Sequence, residues 1–280
     1  MDQILSWVRV TITLAFLSYA SWSDFKTREV SNNVWAVFAP TAFLLTCVQL
    51  LVFPPIGDVL LSMMYYGLSF ALTSAFSVAL FYVGAFGGAD AKALMCIALA
   101  IPEPSVLGAL SDFFSSTLQV SFPLSGFVSF VFPITVFSNG VIVAAFSVFY
   151  ALFRNLLWRQ RTGQELFEGY RNESFGRKAL TLLCGYKVSV ADLRKSFLYP
   201  LEDFRAAQSG EMERCLLLFP REENREEIIE RLVAAERGGK LQKTVWATPG
   251  LPMLIFITVG LILALTIGDV VWIVISRILG

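Results

Sequence analysis

The sequence predicts a mainly α-helical, polytopic membrane protein: six transmembrane helices, with a small α/β cytoplasmic insert between helices five and six. Three observations carry this. Hydrophobic residues make up 56% of the 280 positions and charged residues only 16%, with a mean hydropathy of +0.65, an apolar excess outside the range of soluble domains. Apolar runs approaching the roughly 20 residues needed to cross a bilayer recur along the chain. Between residues 154 and 249 that pattern stops, and most of the 22 Lys and Arg of the chain fall there.

The first helix runs from Ile4 to Ala20. It lacks a basic leading region and a clear small-residue cleavage site, so it reads as a span and not as a cleaved signal. The second and third cover Val34 to Phe53 and Val59 to Val83. The fourth, Ala91 to Ile101, is short for a span, the fifth extends from Gly126 to Phe153, and the sixth from Leu251 to Ile275. The expected organisation is therefore helices one to five over residues 1–153, a soluble domain over 154–249 and helix six over 250–280. Within the insert, REENREEIIERLVAAERGG places Ile228, Ile229, Leu232 and Val233 at helical spacing and ends on glycine, the pattern of a capped amphipathic helix. ERCLLLFP and KTVWAT have the composition of short strands.

Basic residues set the orientation. Lys26 and Arg28 follow helix one, Lys92 opens helix four and the insert follows helix five, whereas loops 54–58 and 102–125 contain no Lys or Arg. The positive-inside rule then puts the 21–33 loop, the 84–90 loop and the insert in the cytoplasm of a multi-pass plasma-membrane protein.

Histidine is absent, which excludes Ser-His and Cys-His nucleophile pairs and HExxH zinc peptidases. The four cysteines lie far apart with no CxxC spacing, so no structural zinc or disulfide framework is expected. A formal net charge of zero gives no reason to expect nucleic acid as a partner. Carboxylate chemistry remains, with no metal and no cofactor.

Two carboxylates stand out. Asp24 lies where helix one leaves the bilayer, and Asp90 lies after the glycine pair of FGGADAKAL, where helix four enters from the same side. Two nearby carboxylates do not both ionise cheaply, so one can activate water while its protonated partner polarises a carbonyl. Gly87 and Gly88 permit close approach by an extended substrate.

The local sequences add a resemblance. DFKTREVSN, residues 24 to 32, resembles the D-x-x-x-R-x-[IV]-P-N signature that follows the first catalytic aspartate of type IV prepilin peptidases, and Gly87-Gly88-Ala89-Asp90-Ala91-Lys92 resembles the GxGD-x-K segment holding their second. The archaeal preflagellin peptidase branch is the most similar. Two positions depart from the pattern: Ala89 stands at the second glycine of the motif and Ser31 replaces the usual proline. The resemblance implies an aspartic endopeptidase of the GxGD type. Its catalytic pair would be Asp24 and Asp90, supported by Gly87, Gly88, Ala89, Lys92, Arg28 and Asn32. Preflagellin or pilin-like precursors with short basic leaders would be its partners, besides the lipid bilayer. The paired-CxxC loop associated with N-methylation is absent, implying cleavage without methyl transfer.

Lys92 either tunes the charge of the pair or snorkels to head groups, and Arg28 either orients the Asp24 loop or anchors it. Asp269 sits about 27 Å along helix six at 1.5 Å per residue, too far to join the pair, and Arg9 is its expected ion-pair partner. A proton-coupled transporter using intramembrane carboxylates is the alternative, although no matching halves are visible.

Overall fold

The computed structural model describes residues 2–53, 58–102, 131–170, 172–194, 197–206, 212–217, 225–239 and 244–279. The loops expected to face outward and the first residues of helix five fall largely outside these, as do the closing LFP of the predicted ERCLLLFP strand, the REEN start of the amphipathic helix and the Lys of KTVWAT. The chain forms two compact units, one of Met1–Ala144 with Pro252–Gly280 and one of Ala145–Leu251.

In the first unit, α1 (Asp2–Thr27), α2 (Asn32–Val52) and α3 (Val59–Tyr82) are long helices, followed by the short α4 (Gly88–Ala100) and by α5 (Phe132–Ala145). After the second unit the chain returns as α10 (Met253–Thr266) and α11 (Val270–Leu279). Among the described residues, four helical stretches are long and apolar enough to cross a membrane: Ile4–Thr27, Asn32–Val52, Val59–Tyr82 and Phe132–Thr162. Most of the chain is helical, with a small sheet region in its C-terminal part. The described residues do not confirm six full spans.

The burial pattern is that of a protein solvated by lipid. α3 buries Ser62, Tyr66, Ser69, Thr73 and Ser77, a stripe of hydroxyls at helical spacing, and exposes Leu60, Met64, Leu68 and Leu72. Hydroxyls and small residues inside let helices approach closely where apolar side chains gain nothing by leaving lipid.

The centre of this unit is α4, which departs from the expected span. It has 13 residues, about 20 Å of helix, against the roughly 30 Å of a hydrocarbon core. Its Ala93, Leu94, Cys96, Ile97 and Ala100 are buried in the main core together with Leu17, Phe38, Phe132, Ile257 and Leu261 from four other helices. Hydropathy alone does not separate a short core helix from a span. Three neighbours supply partners for carbonyls at its end: Arg9 Nε donates to Ala100 O at 2.7 Å, Thr46 Oγ1 to Leu99 O and Ser69 Oγ to Pro102 O at 3.3 Å. A helix ending inside the bundle needs such partners because no water reaches it.

The predicted sixth helix is broken. Gly268 takes φ +92°, and Asn139, buried on α5, bridges the break: its Nδ2 donates to Gly268 O at 2.8 Å and its Oδ1 accepts from Val270 N at 3.0 Å. The Asp269 carboxylate accepts from Trp272 N at 3.0 Å and from Thr135 Oγ1 at 3.4 Å. It thus caps α11 in place of the expected bridge to Arg9. Upstream, Gly140 and Gly260 let α5 and α10 cross backbone to backbone, since a Cβ on Gly260 would stand 2.3 Å from Val136 O.

The second unit begins with α6 (Ser147–Thr162), which runs on past the predicted end of helix five at Phe153 and closes on Gly163 in the left-handed conformation. It continues with α7 (Phe175–Cys184), β1 (Tyr186–Ser189), the short α8 (Val190–Leu193), β2 (Leu198–Pro200), β3 (Glu202–Ala206), β4 (Met212–Leu216), α9 (Arg225–Arg237) and β5 (Thr244–Pro249). β5 is the middle strand of an antiparallel sheet ordered β1-β5-β2, and β3 pairs with β4. The predicted amphipathic helix is α9, burying Ile228, Ile229 and Leu232; KTVWAT is β5 and ERCLLLFP contributes β4.

A polar network lies in this unit. Glu202 accepts from the Tyr170 hydroxyl, from Arg214 Nη2 at 2.8 Å and from Trp246 N at 2.9 Å. The Lys187 ammonium stands 4.9, 5.3 and 6.0 Å from the ring centroids of Trp246, Tyr170 and Trp158.

Candidate active site

Asp24 is in the last turn of α1. The chain leaves this helix through Arg28 at φ +59°, a left-handed conformation costly for a residue with a Cβ. Arg28 N donates to Asp24 O at 3.0 Å, closing the turn. Hydroxyls hold it, with Ser23 Oγ and Thr27 Oγ1 both donating to Glu29 O, at 2.8 and 3.0 Å. Ser31 then starts α2 by accepting from Asn33 N. The residue that departs from the usual proline therefore serves as a helix cap.

Asp90 is the third residue of α4. Its Oδ2 accepts from Gly87 N at 3.0 Å, so the carboxylate reaches back over the helix start. A Cβ on Gly87 would lie 3.2 Å from that same oxygen, while one on Gly88 would meet only Phe81, at an ordinary 3.8 Å. Gly87 is thus the glycine whose missing side chain leaves room for Asp90. Ala89 packs against the main core.

The two motifs meet. Asp90 lies in the field of the Asp24 charge, although 66 positions separate them in sequence, and Lys92 Nζ donates to Asn32 Oδ1 at 2.7 Å. The Arg28 charge and the Leu254 backbone amide both act on the Asp24 carboxyl. Asp24 and Asp90 thus share one neighbourhood with Arg28, and Lys92 is joined to Asn32 beside them. Asp269 pairs at the break between α10 and α11.

Sequence reasoning missed the contribution of α10. Leu254 is in its first turn, where backbone amides lack partners within the helix and attract carboxylates. A buried hydrogen bond of 2.8 Å between Ser21 and Thr258 fastens α1 to α10 one turn further along each helix. Two hydroxyls in otherwise apolar runs were the available signal, but their partnership spans 237 positions.

Residues 11–148, which include both aspartates, match the type IV leader peptidase family, and residues 177–270 match the archaeal peptidase A24 C-terminus, type II. A curated relative, the preflagellin peptidase of Methanococcus maripaludis, is 27% identical over 261 residues, covering 90% of this chain and 92% of its own length. None of these matches supports a transporter. With one A24 peptidase match holding both aspartates and a second covering most of the later chain, the protein belongs to the type IV leader peptidase family.

Proposed function

We propose that this protein is a membrane-embedded aspartic endopeptidase that removes short basic leader peptides from preflagellin and related pilin-like precursors. Asp24 and Asp90 are its catalytic pair. The observation carrying this reading is that Asp90 lies in the field of the Asp24 charge, although the two motif carboxylates come from distant parts of the chain, a placement that favours sharing a proton.

In this mechanism one carboxylate takes a proton from water as the water attacks the scissile carbonyl, and the protonated partner donates to the carbonyl oxygen. The tetrahedral intermediate collapses as a proton passes to the leaving amine, regenerating the pair. Arg28 and the Leu254 amide orient Asp24; Gly87 leaves space for the Asp90 carboxyl. Neither step calls for a metal or a cofactor. The site faces the cytoplasm, an orientation supported by Lys26 at the end of α1, Arg28 just after it and Lys92 near the start of α4. Precursors with basic leaders would meet it there.

The test is a cleavage assay in membranes containing the wild type, Asp24→Asn, Asp90→Asn or Asp269→Asn, with a preflagellin-type precursor read as a mobility shift. Cleavage is expected to vanish in the first two variants and to persist in Asp269→Asn. Cleavage surviving in either of the first two would refute the paired-carboxylate mechanism.

A further inference from the structure

The soluble unit has an apolar helix face that its own core does not cover. Along α7, Phe175 is 87% exposed, Leu180 48% and Leu183 39%, and Cys184 beside them is exposed. At 100° per residue these fall, with Ala179, on one side of the helix, while Thr181, the residue α7 buries, lies on the other. Exposed apolar faces of this kind mark an interaction surface.

Two observations identify what covers it. The first is its attachment. Asn155 of α6 donates to Gly185 O at 2.8 Å and to Leu182 O at 3.5 Å, holding the end of α7 level with the α6 turn that exposes Phe153 and Leu156. That turn belongs to the apolar stretch Phe132–Thr162, which is long enough to cross a membrane. Its 31 residues make about 46 Å of helix, more than a hydrocarbon core of roughly 30 Å takes up, so part of it runs through the head groups. The second is charge. Arg159 and Arg161 close α6, and Lys178 flanks the α7 apolar face, a distribution suited to anionic head groups. Arg177 contributes less, being paired with Glu173 at 3.2 Å.

We infer that α7 is a membrane-surface helix: its Phe175, Leu180 and Leu183 face is seated in the head-group region of an anionic bilayer, beside the point where α6 leaves it. The soluble unit is then held to the lipid by a second contact besides its covalent connections. This does not depend on the peptidase reading.

Cys184 provides the probe. The full-length Cys47→Ala protein, labelled at Cys184 with an environment-sensitive fluorophore, is placed in vesicles of phosphatidylcholine and phosphatidylglycerol, with or without doxyl-labelled lipid as quencher. Reference labels at Phe153→Cys and Glu230→Cys, and a second α7 label at Leu180→Cys, are made with Cys184→Ser. The expected result is loss of emission at 184 and 180 matching that at 153, with 230 unquenched. Emission at 184 and 180 as resistant as at 230 would overturn the proposal. So would energy transfer between labels on different copies in place of lipid quenching, which would assign the face to a second copy of the chain. If Leu180→Cys does not fold, the native thiol decides the question alone.

Discussion

Lys92 Nζ donates to Asn32 Oδ1 at 2.7 Å, and this hydrogen bond joins the motif that begins at Asp24 to the motif that contains Asp90. A charged donor on a neutral acceptor is worth about 1.5 kcal/mol or more, roughly tenfold in rate if it positions the pair. Asn32→Ala and Lys92→Met should each lower kcat by about that factor, and the double variant should be no slower than either single one. Steady-state cleavage rates for the four proteins check this; additive losses would mean that the two residues act separately.

Gly87 and Gly88 are adjacent but should respond differently. A methyl on Gly87 is forced against Asp90 Oδ2 at 3.2 Å, whereas one on Gly88 finds ordinary contact with Phe81. Gly87→Ala is expected to cost about three- to tenfold in cleavage, since the carboxyl must shift, by less than the roughly 1 Å that carries a hundredfold loss. Gly88→Ala should stay close to wild type. Equal losses in the two variants would contradict the assigned role of Gly87.

The crossing of α5 and α10 is set by backbone contact. Gly260→Ala drives a Cβ to 2.3 Å from Val136 O and 2.7 Å from Gly140 N, neither of which can rotate away. Destabilisation of about 2 kcal/mol or more is expected, at the upper end of overpacking costs, visible as a lowered midpoint of thermal unfolding in detergent. An unchanged midpoint would show that the helices can separate without penalty.

In the second unit, burial lowers the Lys187 ammonium to about 8, an effect that Arg214 reinforces and Glu202 and Glu168 oppose. The unfolded side chain titrates near 10.4. Between these values the unfolded chain binds more protons, so stability rises with pH across that window, and the burial penalty is present in full below it. The unfolding midpoint of the wild type should therefore climb between pH 7.5 and 9.5, by no more than about 3 kcal/mol of stabilisation. Lys187→Met should lack this rise. A parallel pH response in both proteins would assign the titration to another group.

The elements that were legible in the sequence are those set by local pattern. The apolar runs of α1 to α3 and the amphipathic spacing of α9 each show in the sequence itself. What depended on distant partners did not. α4 reads as a weak span because its alanines are apolar, yet its role is to be surrounded. The break at Gly268 and Asp269 was invisible to hydropathy, since Asn139 makes it possible from another helix. In the insert, β1, β2 and β3 are at most five residues long, too short for alternation to register. At the site, Asp24 and Asp90 stood out because acids in apolar surroundings are costly. The Leu254 amide carries no side-chain identity, so no residue type could announce it.

The bridge made by Asn139 links shape to assembly. A segment such as 253–279, alone in lipid, gains by keeping every peptide group in one continuous helix. Its interruption becomes affordable only when α5 brings a side-chain amide that replaces the lost internal bonds at Gly268 and Val270. The bend is therefore a property of the associated helices and not of the segment, and a variant such as Asn139→Leu would return the preference to a straight rod.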